Sequence, residues 1–266
     1  MGSSRIGFVG AGRMGFPMVE RLAAAGHDLV VYARRAETKA ALTERGIRQT
    51  AELAEAAAGA DVLLVCVFSD AQLAEIADPL AAALPDGAVF ASHVTGRESV
   101  LRTLAERFPG IQVVDAPVSG GPDEISAGRL TVLLGGSPAA RARAAEAVGA
   151  YADPVIETGE LGTALAVKLV NNFLFAANAQ LAAEAVRLGS ALGVAPGDLL
   201  SALEHMSGGS QASRRAAQGA GMEAFAVRIG PFMKKDVAAC LEQAAERDVD
   251  AGLLIDVVRR GPLALI

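Results

Sequence analysis

The chain has 266 residues, a length that suits two domains or one large one. Its formal net charge is −6 and its charged fraction is 20%, so no global attraction to nucleic acid is expected. No apolar run reaches the length of a membrane span, so we expect no membrane partner either. Alanine supplies much of the 52% hydrophobic fraction, which favours many closely packed helices.

The first predicted strand, Arg5–Val9, leads into the turn Gly10-Ala11-Gly12-Arg13-Met14-Gly15 and then into a helix that ends at Gly26. In such a G-x-G-x-x-G turn, the first glycine permits a tight turn and the second lets the backbone approach a pyrophosphate. The third glycine lets the helix pack on the strand. N–H groups at the helix N-terminus then bind the phosphates. A turn without a ligand is the alternative, but the flanking strand and helix favour a dinucleotide site.

The end of the second predicted strand, 28–33, indicates which dinucleotide binds. About twenty residues after the glycines, an acidic side chain would bind the ribose 2′-hydroxyl of NAD. Arg34 and Arg35 follow the strand instead, and guanidinium groups can pair with a 2′-phosphate and stack on adenine. Two solvated surface arginines are the alternative. The positive charge of the two arginines favours NADP over NAD.

Strands and helices then alternate up to about Gly159. Further strands are predicted at 60–68, 87–92, 111–115, 129–134 and 153–158. Helices are predicted at 36–45, 50–58, 98–107 and 138–150, and from 70 to about 77, where Pro79 restarts a turn. This alternation predicts one doubly wound α/β domain over residues 1–160.

From Gly162 onward the sequence has no strand pattern. Helices are predicted at 164–192, 196–206, 213–218, 235–247 and 251–260. Residues 161–266 are therefore predicted to form an all-helical domain.

The long predicted helix carries two polar residues on an apolar face. Lys168 and Asn172 are four residues apart, so both project from one side of the helix. A buried lysine is costly without a partner or a task, and burial would suit it to donate a proton to a carbonyl oxygen. A lysine that reaches the surface is the alternative, and periodicity alone favours that alternative.

Two other segments present polar groups. Ser119-Gly120-Gly121 follows the strand at 111–115 and offers a hydroxyl and N–H groups, which could bind an anion or form an ordinary turn. Lys234-Lys235-Asp236 is predicted to open the helix at 235–247, where a solvated helix start is the simplest interpretation.

The cysteines indicate the compartment. Cys66 and Cys240 lie far apart and the chain has three histidines, which argues against a disulfide framework or a zinc site. We therefore expect no metal and a reducing, cytoplasmic location. The chain enters a strand at once, so we also expect no signal peptide.

In order and spacing, these motifs resemble those of the β-hydroxyacid dehydrogenases, which include 3-hydroxyisobutyrate dehydrogenase and tartronate semialdehyde reductase. The matching segments are 7–27, Asp115-Ala116-Pro117-Val118-Ser119-Gly120-Gly121 with Ala127-Gly128-Arg129-Leu130-Thr131, then Gly159, Gly162, Lys168 and Asn172, and finally Lys235-Asp236. The resemblance covers nearly the whole chain. It implies an N-terminal Rossmann-type domain, an all-α C-terminal domain for substrate binding and dimerisation, and a homodimer or homotetramer.

The resemblance also implies roles for single residues. Lys168 would be the general acid that protonates the developing alkoxide, and Asn172 would orient the substrate. The substrate carboxylate would be bound by Ser119, Gly120 and Gly121, with Lys235 near the substrate and the nicotinamide ribose. The cofactor-binding set is Gly10, Ala11, Gly12, Arg13, Met14, Gly15, Arg34, Arg35, Val67, Phe68, Thr95 and Lys235.

The expected reaction is NADP-dependent reduction of a small carboxylate-bearing aldehyde or ketone, reversible as a 3-hydroxyacid dehydrogenase. An imine reductase is one alternative, although those enzymes generally have another residue in place of the lysine. A non-catalytic NADP-binding protein is the other alternative. The chain departs from the family at Val67-Phe68, where Leu-Pro is frequent, and at Val94-Thr95, where Ser-Thr is frequent. It also stops at Ile266, where the family usually continues into a tail.

Overall fold

The computed structural model describes residues 4–265. They form two compact units, one ending at Lys168 and the other beginning at Leu169. The first unit is α/β and the second is helical, which confirms the predicted fold class. Within the described residues, no helix combines the length and the apolar character that a membrane span requires.

A single sheet organises the first unit. Its strands are β1 Arg5–Val9, β2 Asp28–Tyr32, β3 Arg48–Thr50, β4 Val62–Val65, β5 Val89–Ser92, β6 Gln112–Asp115, β7 Val118–Ser119, β8 Leu130–Gly135 and β9 Ala152–Gly159. Their order is β3-β2-β1-β4-β5-β6-β8-β7, with β9 paired to β8. Strands β1 to β6 pair in parallel, whereas β8 runs antiparallel to β6 and β7 and parallel to β9.

The strand order changes direction at β1, because β2 and β3 lie on one side of it and β4 to β6 on the other. Ligands of open α/β sheets bind at such a switch point, outside the carboxyl ends of the strands. The glycine-rich turn leaves the carboxyl end of β1, so the fold places this turn at the expected ligand-binding edge.

Helices cover both faces of the sheet. They are α1 Gly15–Ala24, α2 Ala36–Glu44, α3 Leu53–Ala57, α4 Asp70–Ala83, α5 Glu98–Arg107, α6 Pro122–Ser126 and α7 Pro138–Val148. One core layer includes Phe8, Met18 and Leu22, and the other includes Leu63 and Phe90, all fully buried. Central strands buried on both faces explain the near-continuous apolar runs in the sequence.

Two predicted helices of this unit have different bounds in the structure. The predicted helix at 50–58 is instead the end of β3 followed by the shorter helix α3. Helix α4 does not stop near residue 77 but continues through Pro79 to Ala83. Leu80 and Ala81 are buried in the core just after the proline, and their packing outweighs the lost backbone hydrogen bond.

The second unit is built from helices. Helix α8, Thr163–Ala191, begins in the first unit and continues into the second, which also contains α9 Pro196–Leu203, α10 Gln211–Ala217, α11 Gly221–Glu246 and α12 Gly252–Arg260. The core of the second unit includes Phe173 of α8, Phe225 and Val237 of α11, and Val258 of α12.

Helix α11 corrects the prediction that a helix starts at Lys235. The helix begins 14 residues earlier at Gly221 and contains Pro231. Buried Phe225, Ile229 and Met233 recur at helical spacing across the proline, so their packing keeps the helix continuous. Lys235 and Asp236 therefore lie inside a helix rather than at a solvated helix start.

Candidate active site

The three glycines of the first turn differ in what surrounds them. Gly10 has a φ of 103°, and an added Cβ would overlap the Cys66 carbonyl oxygen at the end of β4. A Cβ on Gly15 would overlap the Gly10 carbonyl oxygen. A Cβ on Gly12 would meet no atom of residues 4–265 within 4 Å. The fold therefore requires glycine at positions 10 and 15, whereas no contact among the described residues requires it at position 12.

The other predicted cofactor contacts follow the neighbouring parallel strands. Arg34 and Arg35 are exposed directly beyond β2, and Val67-Phe68 and Thr95 follow β4 and β5. The Asp70 carboxylate accepts a hydrogen bond of 2.9 Å from the Arg97 N–H and so joins the loops after β4 and β5. Since β1, β2, β4 and β5 are parallel, all these loops lie at the same edge of the sheet. The glycine-rich turn, with Ala11, Arg13 and Met14, lies at that edge too.

The Ser119-Gly120-Gly121 turn is exposed at Ser119 and Gly120. Gly120 has a φ of 133°, which favours glycine, and Leu130 lies where its Cβ would point. The Gly121 N–H donates a hydrogen bond of 2.7 Å to Glu124 Oε2. One of the N–H groups expected to bind the substrate carboxylate is therefore occupied within the protein, by a group of the same charge as that substrate.

Asp115 anchors the start of the long helix. This buried carboxylate at the end of β6 accepts hydrogen bonds from the Gly162 N–H at 2.9 Å and the Leu165 N–H at 2.8 Å. Gly162 directly precedes α8 and Leu165 lies in its first turn, where backbone N–H groups have no partner inside the helix. Burial raises the pKa of the Asp115 carboxyl, and these backbone hydrogen bonds oppose the rise. The sheet thereby fixes the helix that carries Lys168.

Lys168 and Asn172 lie one helical turn apart on α8 and are 9% and 7% exposed. The lysine is therefore buried rather than the surface residue that periodicity alone favours. Asn172 lies in the second unit, where its Nδ2 donates a hydrogen bond of 2.6 Å to Asp236 Oδ2. Asp236 is 5% exposed, and its Oδ1 lies 3.2 Å from Lys235 Nζ. One buried carboxylate thus brings together Asn172 and Lys235, two of the predicted site residues.

Comparisons with known proteins agree with these motifs. The model of the NAD binding domain of 6-phosphogluconate dehydrogenase matches residues 5–162, more than half of the chain. The model for the NAD-binding domain of NADP-dependent 3-hydroxyisobutyrate dehydrogenase matches residues 162–259.

The chain belongs to the β-hydroxyacid dehydrogenase family. A mitochondrial 3-hydroxyisobutyrate dehydrogenase of Homo sapiens is 31% identical over 209 residues, which cover 77% of this chain and 62% of that protein. A solved 3-hydroxyisobutyrate dehydrogenase of Mycobacterium tuberculosis with L-serine aligns with a TM-score of 0.85 and 24% identity, covering 97% of this chain and 92% of the other. Psf3 in complex with NADP+ and 2-OPP aligns with a TM-score of 0.76 and 22% identity, covering 96% and 92%. The resemblance seen in the sequence is confirmed, and the chain is an oxidoreductase with NAD(P)-binding domains.

The dehydrogenase also contains a buried histidine that is not among the predicted site residues. His93, directly after β5, has its Nδ1 2.6 Å from the Ala116 carbonyl oxygen and its Nε2 2.7 Å from the Tyr151 hydroxyl. Because a carbonyl only accepts, Nδ1 carries the proton and Nε2 accepts from Tyr151. This neutral ring holds Ala116 three residues before Ser119. The only signal in the sequence was a histidine at the end of an apolar strand.

We expect His93 to make folding sensitive to acid. Burial lowers its pKa to about 4, against about 6.5 in the unfolded chain. Between these values only the unfolded chain takes up the proton, so the free energy of unfolding should fall by about 3 kcal/mol as pH falls through this window. Urea denaturation at several pH values between 7.5 and 4.5 measures how the free energy of unfolding depends on pH. In His93→Gln this free energy should change less with pH than in the wild type. An equal pH dependence in both proteins would contradict the role of His93.

Proposed function

We propose that this dehydrogenase interconverts a small 3-hydroxy acid and its semialdehyde or keto acid with NADP(H), and that Lys168 is the general acid–base. The observation that carries the proposal is Lys168, buried on α8 one turn from Asn172, in a helix whose start is fixed by Asp115. In an oxidoreductase of this family, a lysine ammonium one helical turn from an amide that can hold the substrate is suited to transfer a proton to the substrate oxygen.

In this proposal the cofactor and the residues that bind it have separate roles. When bound, the dinucleotide supplies the hydride chemistry. Gly12 leaves room for the pyrophosphate beside α1, and Arg34 and Arg35 carry charge that suits a 2′-phosphate.

On the substrate side, Ser119, Gly120 and Gly121 hold the carboxylate, with the Gly121 N–H shared with Glu124. Lys168 Nζ donates a proton to the carbonyl oxygen during reduction and recovers it in oxidation, while Asn172 orients the substrate. In this proposal residues 1–160 form the NADP-binding domain and residues 161–266 the substrate and dimerisation domain.

The direct test is NADPH consumption, followed by absorbance, with a panel of C2 to C5 semialdehydes, glyoxylate and a cyclic imine. Consumption with a carboxylate-bearing carbonyl supports the proposal. Consumption with the imine alone would identify an imine reductase. NADPH binding with no consumption on any substrate would leave the non-catalytic alternative.

The NADP preference depends on the two exposed arginines after β2. Arg34→Ala/Arg35→Ala should raise the Kd of NADPH about 10- to 100-fold through the lost charge-assisted contacts, with little change for NADH. Fluorescence titration measures both constants. Arg48→Ala is the matched control, because this exposed arginine begins β3 beside Val30 of β2 and is not at the carboxyl ends of the strands. An equal rise in Kd for NADPH and NADH, or no rise in either, would contradict the preference for NADP.

We also propose a homodimer or homotetramer in the cytoplasm. Leu174, Leu181 and Leu188 lie seven residues apart on α8 and are 48–55% exposed, an apolar stripe that a second copy would cover. The two free cysteines suit a reducing compartment. Sedimentation equilibrium tests the assembly, and a monomer at micromolar concentration would contradict it.

A further inference from the structure

The carboxylate of Asp236 has two oxygens, and each contacts a different predicted site residue. Oδ2 accepts the 2.6 Å hydrogen bond from Asn172, and Oδ1 lies 3.2 Å from the Lys235 ammonium. Oδ1 is shielded from solvent, and its contact with Lys235 is an ion pair rather than an aligned hydrogen bond. Asp236 therefore holds Asn172 in one geometry and compensates its own charge with Lys235.

The hydrogen bond decides which way the Asn172 amide faces. A carboxylate only accepts, so the NH2 end of the amide must face Asp236. The carbonyl end then accepts a hydrogen bond of 3.0 Å from Asn171 Nδ2. Without the carboxylate, the two ends of the amide could exchange places by rotation about χ2. The substrate would then meet the amide with its donor and acceptor ends exchanged.

We propose that Asp236 is a positioning residue that orients the Asn172 amide for the reaction, while the Lys235 ammonium compensates the charge of Asp236. This inference rests on the proposed function, since Asn172 orients the substrate there. Asp236 acts through Asn172 and does not touch the reacting atoms. The oriented amide acts on the substrate in the transition state. Loss of this orientation should therefore lower kcat more than it changes the dinucleotide Kd.

A double-mutant cycle tests whether Asp236 acts through Asn172. Asp236→Ala and Asn172→Ala should each lower kcat about 10- to 100-fold, and the double variant should be no slower than Asn172→Ala alone. Asp236→Asn is the conservative variant if the alanine variant does not fold. It can still accept from Asn172, so it should recover part of kcat. Asp256→Ala, an exposed aspartate of the same unit, should leave kcat unchanged.

Lys235→Met separates the two contacts of Asp236. If the ammonium acts at the nicotinamide ribose, this variant should weaken dinucleotide binding, whereas Asn172→Ala should not. The positioning role would be overturned if the kcat losses of Asn172→Ala and Asp236→Ala multiply in the double variant. It would also be overturned if Asp236→Ala leaves kcat unchanged.

A second readout does not depend on activity. The chain has three asparagines, Asn171, Asn172 and Asn178, all on α8, so selective 15N-asparagine labelling gives three side-chain amide signals. The Asn172 signal should shift strongly in Asp236→Ala, which removes the acceptor and adds no asparagine. The neighbouring Asn171 signal should shift less, and the Asn178 signal should stay fixed. An unmoved Asn172 signal would overturn the inference. If the wild type consumes no NADPH with any carbonyl, the proposed function has failed, and the amide signals still show whether Asp236 holds Asn172.

Discussion

Replacing Lys168 with alanine should lower kcat by about 10²- to 10⁴-fold while NADPH still binds, because the variant removes the proposed proton donor and leaves the glycine turn intact. Lys168→Arg should stay impaired although it keeps the charge. A guanidinium holds its proton too tightly at neutral pH to act as a general acid.

Single-turnover kinetics with a responsive carbonyl substrate measure the loss, and fluorescence titration measures the NADPH Kd. Lys234→Ala is the control, since this exposed lysine carries the same charge on α11. Near-wild-type turnover in Lys168→Ala would refute the role of this residue.

The elements that the sequence predicted best are those with a strong local pattern. The helix at Glu98–Arg107 has the bounds expected for it, and the apolar run within 60–68 contains β4. Strand β3 has three residues, two of them not buried, so it is too short to show an alternating pattern. Helix α11 was truncated in the prediction because Pro231 is a strong local signal against a helix, and its buried neighbours outweigh that signal only in the folded chain.

In the candidate site too, the residues with a local sequence signal were the ones that could be predicted. The glycine turn, Arg34 and Arg35, and the Lys168/Asn172 pair are each local in sequence, so motif and spacing were enough to propose them. The polar residues that hold them were not predictable in this way. Asp115 contacts the start of α8 from 47 and 50 residues away, and Asp236 contacts Asn172 from 64 residues away. No local pattern reports such contacts, although both aspartates stood in segments that match the family.

Alanine substitutions at Gly12 and Gly10 of the glycine-rich turn should have large but different effects. Gly12→Ala should fold like the wild type, because its Cβ meets no atom within 4 Å in the part of the chain that the structure describes, but it should weaken NADPH binding about 10- to 100-fold. Gly10→Ala should instead destabilise the protein by several kcal/mol. There the φ of 103° disfavours alanine, and the Cβ would overlap the Cys66 carbonyl oxygen.

Thermal melting with and without NADPH separates the two effects. The wild type should be stabilised by about 2.7 kcal/mol at a ligand concentration of 100 Kd, and Gly12→Ala should lose most of that increment while its ligand-free Tm is unchanged. Gly10→Ala should have a lower Tm in both conditions. If Gly12→Ala keeps the full NADPH increment, the turn does not bind the pyrophosphate. If instead its ligand-free Tm falls, a contact within the protein, and not a ligand, explains the second glycine.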